Sequence, residues 1–199
     1  MANITGLEGI QGSLPLGQVS AQPETLDPTV LVGVPRTLAR GVEGIDADGF
    51  VGHDLWNCWE IAWLNPDGRP EMRIGQLVIP AGSPNLCESK SLKLFLNSFA
   101  NDVFASDAEV ERMVVQYLTP ILGVAPEFQL YPVTDARFQV ELPKGECLDQ
   151  LPVNLAVYTP NAALLQTVPD KPGQARHRSH LFRSICPVTG RPDWATVVV

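Results

Sequence analysis

Hydrophobic residues between positions 86 and 100 repeat with the period of a helix. Four of them share one face at i, i+3, i+4 and i+7: Leu92, Phe95, Leu96 and Phe99. Asn85 is suited to cap the start of this helix, and Glu88 stands three residues later, where a capping box places its acid. The pattern predicts a helix over about 86–100 that packs one side against a core.

A second helical pattern begins after Ser106. Ser106 and Glu109 have the spacing of a capping box. The stop signals are Pro120 and Gly123. Apolar residues repeat along one stripe between these signals: Val110, Met113, Val114, Tyr117, Leu118 and Ile121. This pattern predicts a helix whose main role is to pack the core.

Strand patterns lie on both sides of the helices. Asp54–Leu64 is rich in aromatic and apolar residues and is followed by the turn sequence Asn65–Gly68 and a second run, Glu71–Ile79. Three shorter strands are predicted after the helices: Glu127–Val133, Arg137–Leu142 and Val153–Tyr158. The order of a hairpin, two helices and further strands predicts an α+β fold with an antiparallel sheet and helices on one face.

The remaining segments have weaker patterns. Residues 1–30 are rich in Gly, Pro, Ser and Gln and are interpreted as an extended arm, and loops continue to about residue 50. Residues 176–185 are basic and fit either a helix or an extended segment. Cys186–Asp193 is expected to be a loop because of its Pro and Gly content, and Trp194–Val199 is a predicted strand.

Composition limits the classes of function. The 199 residues carry a net charge of −8, which argues against a protein that binds nucleic acid directly. No apolar run is long enough to span a membrane, and the N-terminus lacks a basic start and an apolar signal core. We therefore expect a cytoplasmic protein with no membrane partner, and a local basic site for a phosphorylated cofactor is still allowed.

The first candidate site is the start of the predicted helix at Glu88. Lys90 and Lys93 lie near its N-terminal end, where the helix dipole disfavours cations. Free N–H groups and two ammonium groups would form an anion site, and phosphate is the anion expected. The alternative is that Glu88 only caps the helix and that the lysines only face solvent.

The second candidate site is Cys186. The four cysteines, Cys58, Cys87, Cys147 and Cys186, show no CxxC pair and are expected to be thiols. Arginines and histidines precede Cys186, and positive neighbours lower the pKa of a thiol. Asp193 would supply a proton to the atom that becomes negative when the thiolate attacks. The alternatives are a structural cysteine, or a metal site formed by His177, His180 and Cys186, although that spacing fits no standard zinc motif.

Two long motifs resemble one known family. The run Glu88-Ser89-Lys90-Ser91-Leu92-Lys93-Leu94-Phe95 resembles the signature of the NADPH-dependent 7-cyano-7-deazaguanine (preQ0) reductases of queuosine biosynthesis, a tRNA modification pathway. Ser184–Trp194 resembles their nucleophile loop. Gly33–Arg36 and Asp54–Trp63 resemble the long, two-module form of the family.

The resemblance implies a function and a set of site residues. It implies a tunnelling fold (T-fold) and the reduction of a nitrile to an amine with two NADPH. Cys186 would form a covalent thioimide with preQ0, and Asp193 would protonate the nitrile nitrogen. Glu88 would bind the guanine-like ring, flanked by Cys87 and Ser89. Lys90 and, as a second candidate, Lys93 would contact NADPH together with Ser89; no metal is implied.

The resemblance also implies a domain layout. We expect an arm and loop at 1–50, a T-fold domain at 51–160, and the nucleophile loop with the start of a second module at 161–199. The long form continues into that module, whose His-Glu pair completes the substrate pocket, and no equivalent pair is found before Val199. We therefore expect an incomplete pocket, and a homo-oligomer, because such sheets often close by assembly.

Two further functions stay open from the sequence. One is an inactive T-fold module that binds purines or serves assembly, which the missing module favours and the retained Cys186 and Asp193 oppose. The other is a zinc-dependent cyclohydrolase-like enzyme that uses His177, His180 and Cys186. A metal content measurement separates this last function from the reductase.

Overall fold

The computed structural model describes residues 14–15, 18–42, 51–154, 156–157, 161–166, 173–185 and 190–199. The chain divides into two compact units, residues 2–139 and residues 140–199, which are described separately below. Among the described residues, no helix is both long enough and apolar enough to cross a membrane.

The larger unit contains a three-stranded antiparallel sheet in the order β2–β3–β5. Its strands are β2 (His53–Leu64), β3 (Pro70–Pro80) and β5 (Glu127–Pro132). The predicted hairpin is confirmed, and so are the strands over 54–64, 71–79 and most of 127–133. Asn65 shapes the hairpin turn, because its side-chain oxygen accepts hydrogen bonds from the N–H groups of Asp67 and Arg69.

Two helices pack on this sheet, α2 (Ser89–Asn97) and α3 (Asp107–Leu122). A short strand and helix precede the sheet, β1 (Gly33–Pro35) and α1 (Arg36–Val42), and a further short strand, β4 (Asn85–Cys87), precedes α2. The buried core joins both helices to the sheet and includes Ile61, Trp63, Leu77, Phe95, Phe99, Val114 and Leu118. The α+β prediction with helices against an antiparallel sheet is confirmed.

Helix α3 has the predicted start. The Ser106 side chain accepts a hydrogen bond from the N–H of Glu109. Glu109 in turn accepts from the N–H of Ala105. Pro120 lies inside the last turn and does not end the helix. The helix ends at Gly123, whose φ of 76° is a left-handed conformation that glycine adopts without strain.

The predicted start of helix α2 was wrong. Asn85–Cys87 forms strand β4, which pairs antiparallel with β1, and the helix begins at Ser89 with Glu88 as its N-cap. The N–H of Glu88 donates to the carbonyl of Val32, so pairing with a distant segment keeps residues 85–88 extended. Asn85 does not cap the helix; its side chain donates to the carbonyl of Ile121 at the end of α3.

Two predicted strands were also wrong in their described residues. Residues 136–138 form a 3-10 turn, because Asp135 accepts a hydrogen bond from the N–H of Arg137 and tightens the chain there. Phe138 packs edge-on against Trp59, with ring centroids 5.5 Å apart. Residues 139–142, 153–154 and 156–157 have no strand structure.

The smaller unit contains a second three-stranded sheet in the order β6–β7–β8. Its strands are β6 (Glu146–Cys147), β7 (His177–Ile185) and β8 (Pro192–Val198). β6 pairs parallel with β7, and β7 pairs antiparallel with β8. Residues 176–185 are therefore extended, the second of the two alternatives, and the C-terminal strand is confirmed.

Candidate functional site

The residues singled out near Glu88 lie where β4 meets helix α2. Glu88 is 5% exposed and Cys87 is 2% exposed, whereas Ser89 lies at the surface. The Glu88 carboxylate accepts from the N–H of Lys90 at 2.9 Å with one oxygen and from the N–H of Ser91 at 2.7 Å with the other. Its side chain therefore closes the N-terminus of α2 by two charge-assisted hydrogen bonds.

Neighbouring segments hold this carboxylate in place. The Ser91 hydroxyl donates to the Glu88 carbonyl at 2.7 Å and accepts from the N–H of Val32 at 3.1 Å. The Ser89 hydroxyl lies 3.5 Å from the same carboxylate. Each carboxylate oxygen has two acceptor positions; the helix N–H groups occupy one on each, and the Ser89 hydroxyl approaches the second on Oε1. Among the described residues, Oε2 accepts only from the N–H of Ser91, so one acceptor position on that oxygen is unused.

The anion site predicted from free helix N–H groups was wrong in one respect. The N–H groups of Lys90 and Ser91 donate to Glu88 and are not available to a phosphate. The N–H of Leu92 donates to the Glu88 carbonyl. An anion at this end of α2 would therefore depend on side chains alone, and the carboxylate beside it would oppose its binding.

The two lysines have different surroundings. The Lys90 ammonium donates to the carbonyl of Gln18 in the N-terminal arm. The Lys93 ammonium lies 3.6 Å from the Glu60 carboxylate, and both side chains are largely exposed. An exposed pair of this kind contributes little to stability, so Lys93 can exchange its partner for an anionic ligand at small cost.

A pocket of about 240 Å³ opens between β2 and the exposed side of α2. Ser89 and Lys93, two of the predicted ligand contacts, line it together with residues from both elements: Trp56, Asn57, Cys58, Trp59, Glu60, Leu92, Leu96 and Asn97. The register of β2 against β3 shifts between Cys58 and Ile61. Such bulges redirect side chains and are common beside functional sites.

Cys58 is half-buried and lines this pocket, and Cys87 is buried. Burial, with a smaller contribution from the nearby Cys87 sulfur, raises the pKa of Cys58 to about 11. Burial also raises the pKa of Cys87 to about 11; its hydrogen bond with Ser91 lowers it and the charge of Glu88 raises it. Both thiols stay protonated near neutral pH, so neither is suited to act as the nucleophile.

The predicted nucleophile and acid belong to the smaller unit. Cys186 falls among residues 186–189, which lie outside the described residues. Asp193 is exposed and stands opposite Ser184 in the β7–β8 hairpin, not in the loop where it was expected. The hairpin pairs Ile185 with Pro192, so the strands run side by side up to the segment that contains Cys186. The roles of both residues stay predictions.

His177 and His180, which the sequence offered with Cys186 as an alternative metal site, contact different groups. The Nδ1 atom of His177 lies 3.5 Å from a Glu146 carboxylate oxygen. The Nδ1 atom of His180 lies 2.8 Å from the Thr196 hydroxyl on β8.

Sequence reasoning missed the half of the pocket that β2 provides. It also missed Arg36, whose guanidinium pairs with Asp54 and donates to the Ser83 hydroxyl at 3.0 Å. The N–H of Arg36 donates to the Pro84 carbonyl, so the β1–α1 junction fixes the turn before the site. Arg36 and Asp54 lie in Gly33–Arg36 and Asp54–Trp63, the two segments that resemble the long form of the family. Their joint occurrence there was the one sequence feature that could have indicated a pairing of the two residues.

Comparison with known proteins gives a consistent set of relatives. A family model described as nitrile reductase, 7-cyano-7-deazaguanine-reductase N-terminal part, matches residues 22–129. The matched region includes β1–β4, α2, α3 and the first three residues of β5, and therefore the Glu88 segment.

Three similar proteins are named NADPH-dependent 7-cyano-7-deazaguanine reductase. The protein from Desulfotalea psychrophila is 38% identical over 196 residues, which covers 96% of this chain and 71% of that protein. The protein from Dechloromonas aromatica is 40% identical over 188 residues, 93% of this chain and 66% of its own length. The protein from Saccharophagus degradans is 39% identical over 191 residues, 94% of this chain and 70% of its own length.

Proposed function

This chain belongs to the 7-cyano-7-deazaguanine reductase family of nitrile reductases, and on that premise we propose that it reduces the nitrile of preQ0 to an aminomethyl group with NADPH. The supporting observation is the 38–40% identity to reductases of that name over 93–96% of this chain. The names favour an enzyme over an inactive purine-binding or assembly module. The place of the reaction in queuosine biosynthesis is part of the proposal.

The chemistry assigns one step each to Cys186 and Asp193. A nitrile carbon is a weak electrophile, so it needs a soft nucleophile and an acid acting together. The Cys186 thiolate forms a C–S bond, one π bond of the nitrile breaks, and Asp193 gives its proton to the nitrogen. The product is a thioimide attached to the protein. Each NADPH, when bound, would supply one hydride; after the first hydride the C–S bond would break and return the thiolate, and a second hydride would bring the carbon to the level of an amine.

Glu88 is proposed to bind the substrate ring while it caps α2. A carboxylate can accept two hydrogen bonds from the N–H edge of a guanine-like ring. Its position supports this role, because among the described residues Oε2 accepts a hydrogen bond only from Ser91 and keeps one acceptor position unused. Cys87 and Ser89 flank Glu88 and are proposed to line the same pocket.

NADPH is proposed to contact Ser89, Lys90 and Lys93. The phosphates need cationic partners, and Lys93 with its exposed ammonium at the 240 Å³ pocket fits this need. Lys90 fits less well because its ammonium donates to the Gln18 carbonyl. The helix N–H groups do not fit, because Glu88 occupies them.

The remaining expectations concern architecture and setting. The order β2–β3–α2–α3–β5 supports a T-fold assignment for the larger unit, with assembly as a homo-oligomer. The layout of 1–50, 51–160 and 161–199 stays a prediction. A cytoplasmic location, no direct binding of nucleic acid and a reaction that uses no metal ion belong to the same proposal.

The proposal is tested by the mass of the intact protein after incubation with preQ0 and no NADPH. We expect an increase by the mass of one preQ0, located on the peptide that contains Cys186 and absent in Cys186→Ala. Asp193→Asn should slow the increase and leave reversible binding of preQ0 unchanged.

A matched control uses 7-deazaguanine, which has the same ring and no nitrile and should give no increase in mass. NADPH consumption on addition of preQ0 completes the test. A folded protein that neither forms the adduct nor consumes NADPH would contradict the proposal, and an adduct that persists in Cys186→Ala would move the nucleophile elsewhere.

A further inference from the structure

Three side chains of different chemistry converge in the smaller unit. Cys147 ends β6, Asp149 lies in the turn that follows, and His180 lies on β7. One ligand atom from each, a sulfur, a carboxylate oxygen and a ring nitrogen, lies within 4.8 Å of the other two. We propose that Cys147, Asp149 and His180 bind a zinc ion that ties the turn after β6 to β7.

The donor set favours zinc over other common cations. Zinc in proteins takes thiolate, imidazole and carboxylate ligands, whereas calcium and magnesium take oxygen ligands almost exclusively. A thiolate and a carboxylate together balance the charge of the ion. Three protein ligands leave the fourth tetrahedral position to water.

The distances are compatible with a bound ion. Tetrahedral zinc with ligand bonds of 2.0–2.3 Å places its ligand atoms about 3.3–3.6 Å apart. The three atoms must therefore approach one another by no more than about 1.5 Å, within reach of side-chain rotation. The turn is already held in place, because the N–H of Leu148 donates to the Arg178 carbonyl at 2.9 Å.

The Asp149 carboxylate is prepared for a positive partner. One oxygen accepts from the N–H of His180 at 3.1 Å. The other, Oδ1, is buried and has no hydrogen-bond partner among the described residues. A buried acceptor without a partner costs stability, and a cation would satisfy it.

His180 is oriented by a second contact. Its Nδ1 atom lies 2.8 Å from the Thr196 hydroxyl. A histidine that binds zinc usually donates its other ring N–H to an oxygen, which fixes the ring and its tautomer. The register of β7 against β8 also shifts between Ser179 and Phe182, so the bulge lies at His180.

A surface cleft gives a hydrated ion access to His180. His180 lines a surface cleft of about 440 Å³ together with Lys144 and Arg178. Arg178 donates to the Gly145 carbonyl, which directs its guanidinium to the backbone. Glu146, also nearby, lies beside His177 and adds a negative charge to this end of the sheet.

The site is tested by adding zinc chloride to the chelator-treated full chain and measuring binding by native mass spectrometry and calorimetry. We expect one zinc ion per chain. Cys147→Ser, Asp149→Asn and His180→Asn should each weaken binding by at least about tenfold. His177→Asn is the matched control, a histidine three residues earlier on the same strand, and should bind zinc as the unchanged chain does.

Two further readouts separate this site from adventitious binding. Cobalt in place of zinc should give a thiolate-to-metal charge-transfer band that disappears in Cys147→Ser and persists in Cys58→Ser. Zinc should also slow hydrogen exchange at the N–H groups of Leu148 and His180. Equal loss of binding in His177→Asn, loss in Cys186→Ser but not in Cys147→Ser, or no binding by the folded chain would overturn the proposal.

Discussion

Glu88 and Asp193, the two carboxylates predicted to act on preQ0, are held very differently in their separate units. Glu88 is 5% exposed and accepts two backbone hydrogen bonds that begin helix α2. Asp193 is exposed on a hairpin strand of the smaller unit. Glu88 is therefore part of the fold as well as a candidate ligand, whereas the Asp193 side chain lies at the surface of its hairpin.

The same contrast holds for the surroundings of the two carboxylates. Glu88 adjoins a core that includes Leu92, Phe95 and Phe99. The hairpin with Asp193 exposes several large apolar side chains: Leu181, Phe182, Ile185 and Trp194. The region proposed to recognise the substrate adjoins a buried core, and the region proposed to carry the chemistry has an exposed apolar surface.

The largest expected effect concerns the thiols of Cys58 and Cys87 in the larger unit. Cys58 and Cys87 should react with iodoacetamide at pH 8 about 100-fold more slowly in the folded chain than in denaturant, because burial raises each pKa to about 11 and leaves little thiolate. Mass analysis of digested protein gives the rate for each cysteine. A rate at either cysteine equal to that in denaturant would show that the core there is open.

The pH dependence of stability has a definite sign for these two groups. Between pH about 9 and 11 the folded chain retains protons that the unfolded chain loses, so the free energy of unfolding falls as pH rises through this window. Below pH 9 both states are protonated, and the two thiols add no pH dependence there.

The next largest effect is expected at Glu88. Glu88→Ala should lower the free energy of unfolding by about 1–3 kcal/mol, because the helix loses its N-cap and buried N–H groups lose their acceptor. Urea denaturation measures this change. The matched control is Glu60→Ala on the neighbouring strand, which removes an exposed carboxylate and should change stability little.

Glu88→Gln separates the two roles of this side chain. The amide oxygen still accepts one helix N–H, so part of the stability should return. The amide presents one acceptor where the carboxylate presents two, so binding of preQ0 should stay weak. Recovery of binding together with stability would mean that Glu88 acts on the substrate only through the helix cap.

The sequence predicted elements whose signals are local. The capping box at Ser106 and Glu109 and the turn at Asn65–Gly68 are sufficient to place helix α3 and the β2–β3 hairpin. The start of α2 was misplaced because Cys87 pairs with Gly33, a contact that no local pattern reveals. A strand at Arg137–Leu142 was predicted from its composition, but Asp135 turns the chain there.

For the candidate site, as for the fold, the sequence indicated residues in local motifs and missed features that depend on pairing between distant segments. The sequence located Glu88, Ser89 and Lys93 by motif, and the structure brings Ser89 and Lys93 to one pocket. It did not reveal that Glu88 occupies the helix N–H groups, since that depends on where the helix begins. The contribution of Cys58 and Trp59 depends on a bulge in β2, which pairing with β3 produces.

The smallest effect on stability is expected at Asp193. Asp193→Asn should change the free energy of unfolding by no more than about 0.5 kcal/mol, because the side chain is exposed and the substitution keeps its size. Its effect should appear in the rate of adduct formation with preQ0, since an amide cannot supply the proton. A matched change on the same strand, Thr196→Ser, should alter neither quantity. If Asp193→Asn destabilises the chain as much as Glu88→Ala does, the contrast between the two carboxylates is lost and Asp193 is structural.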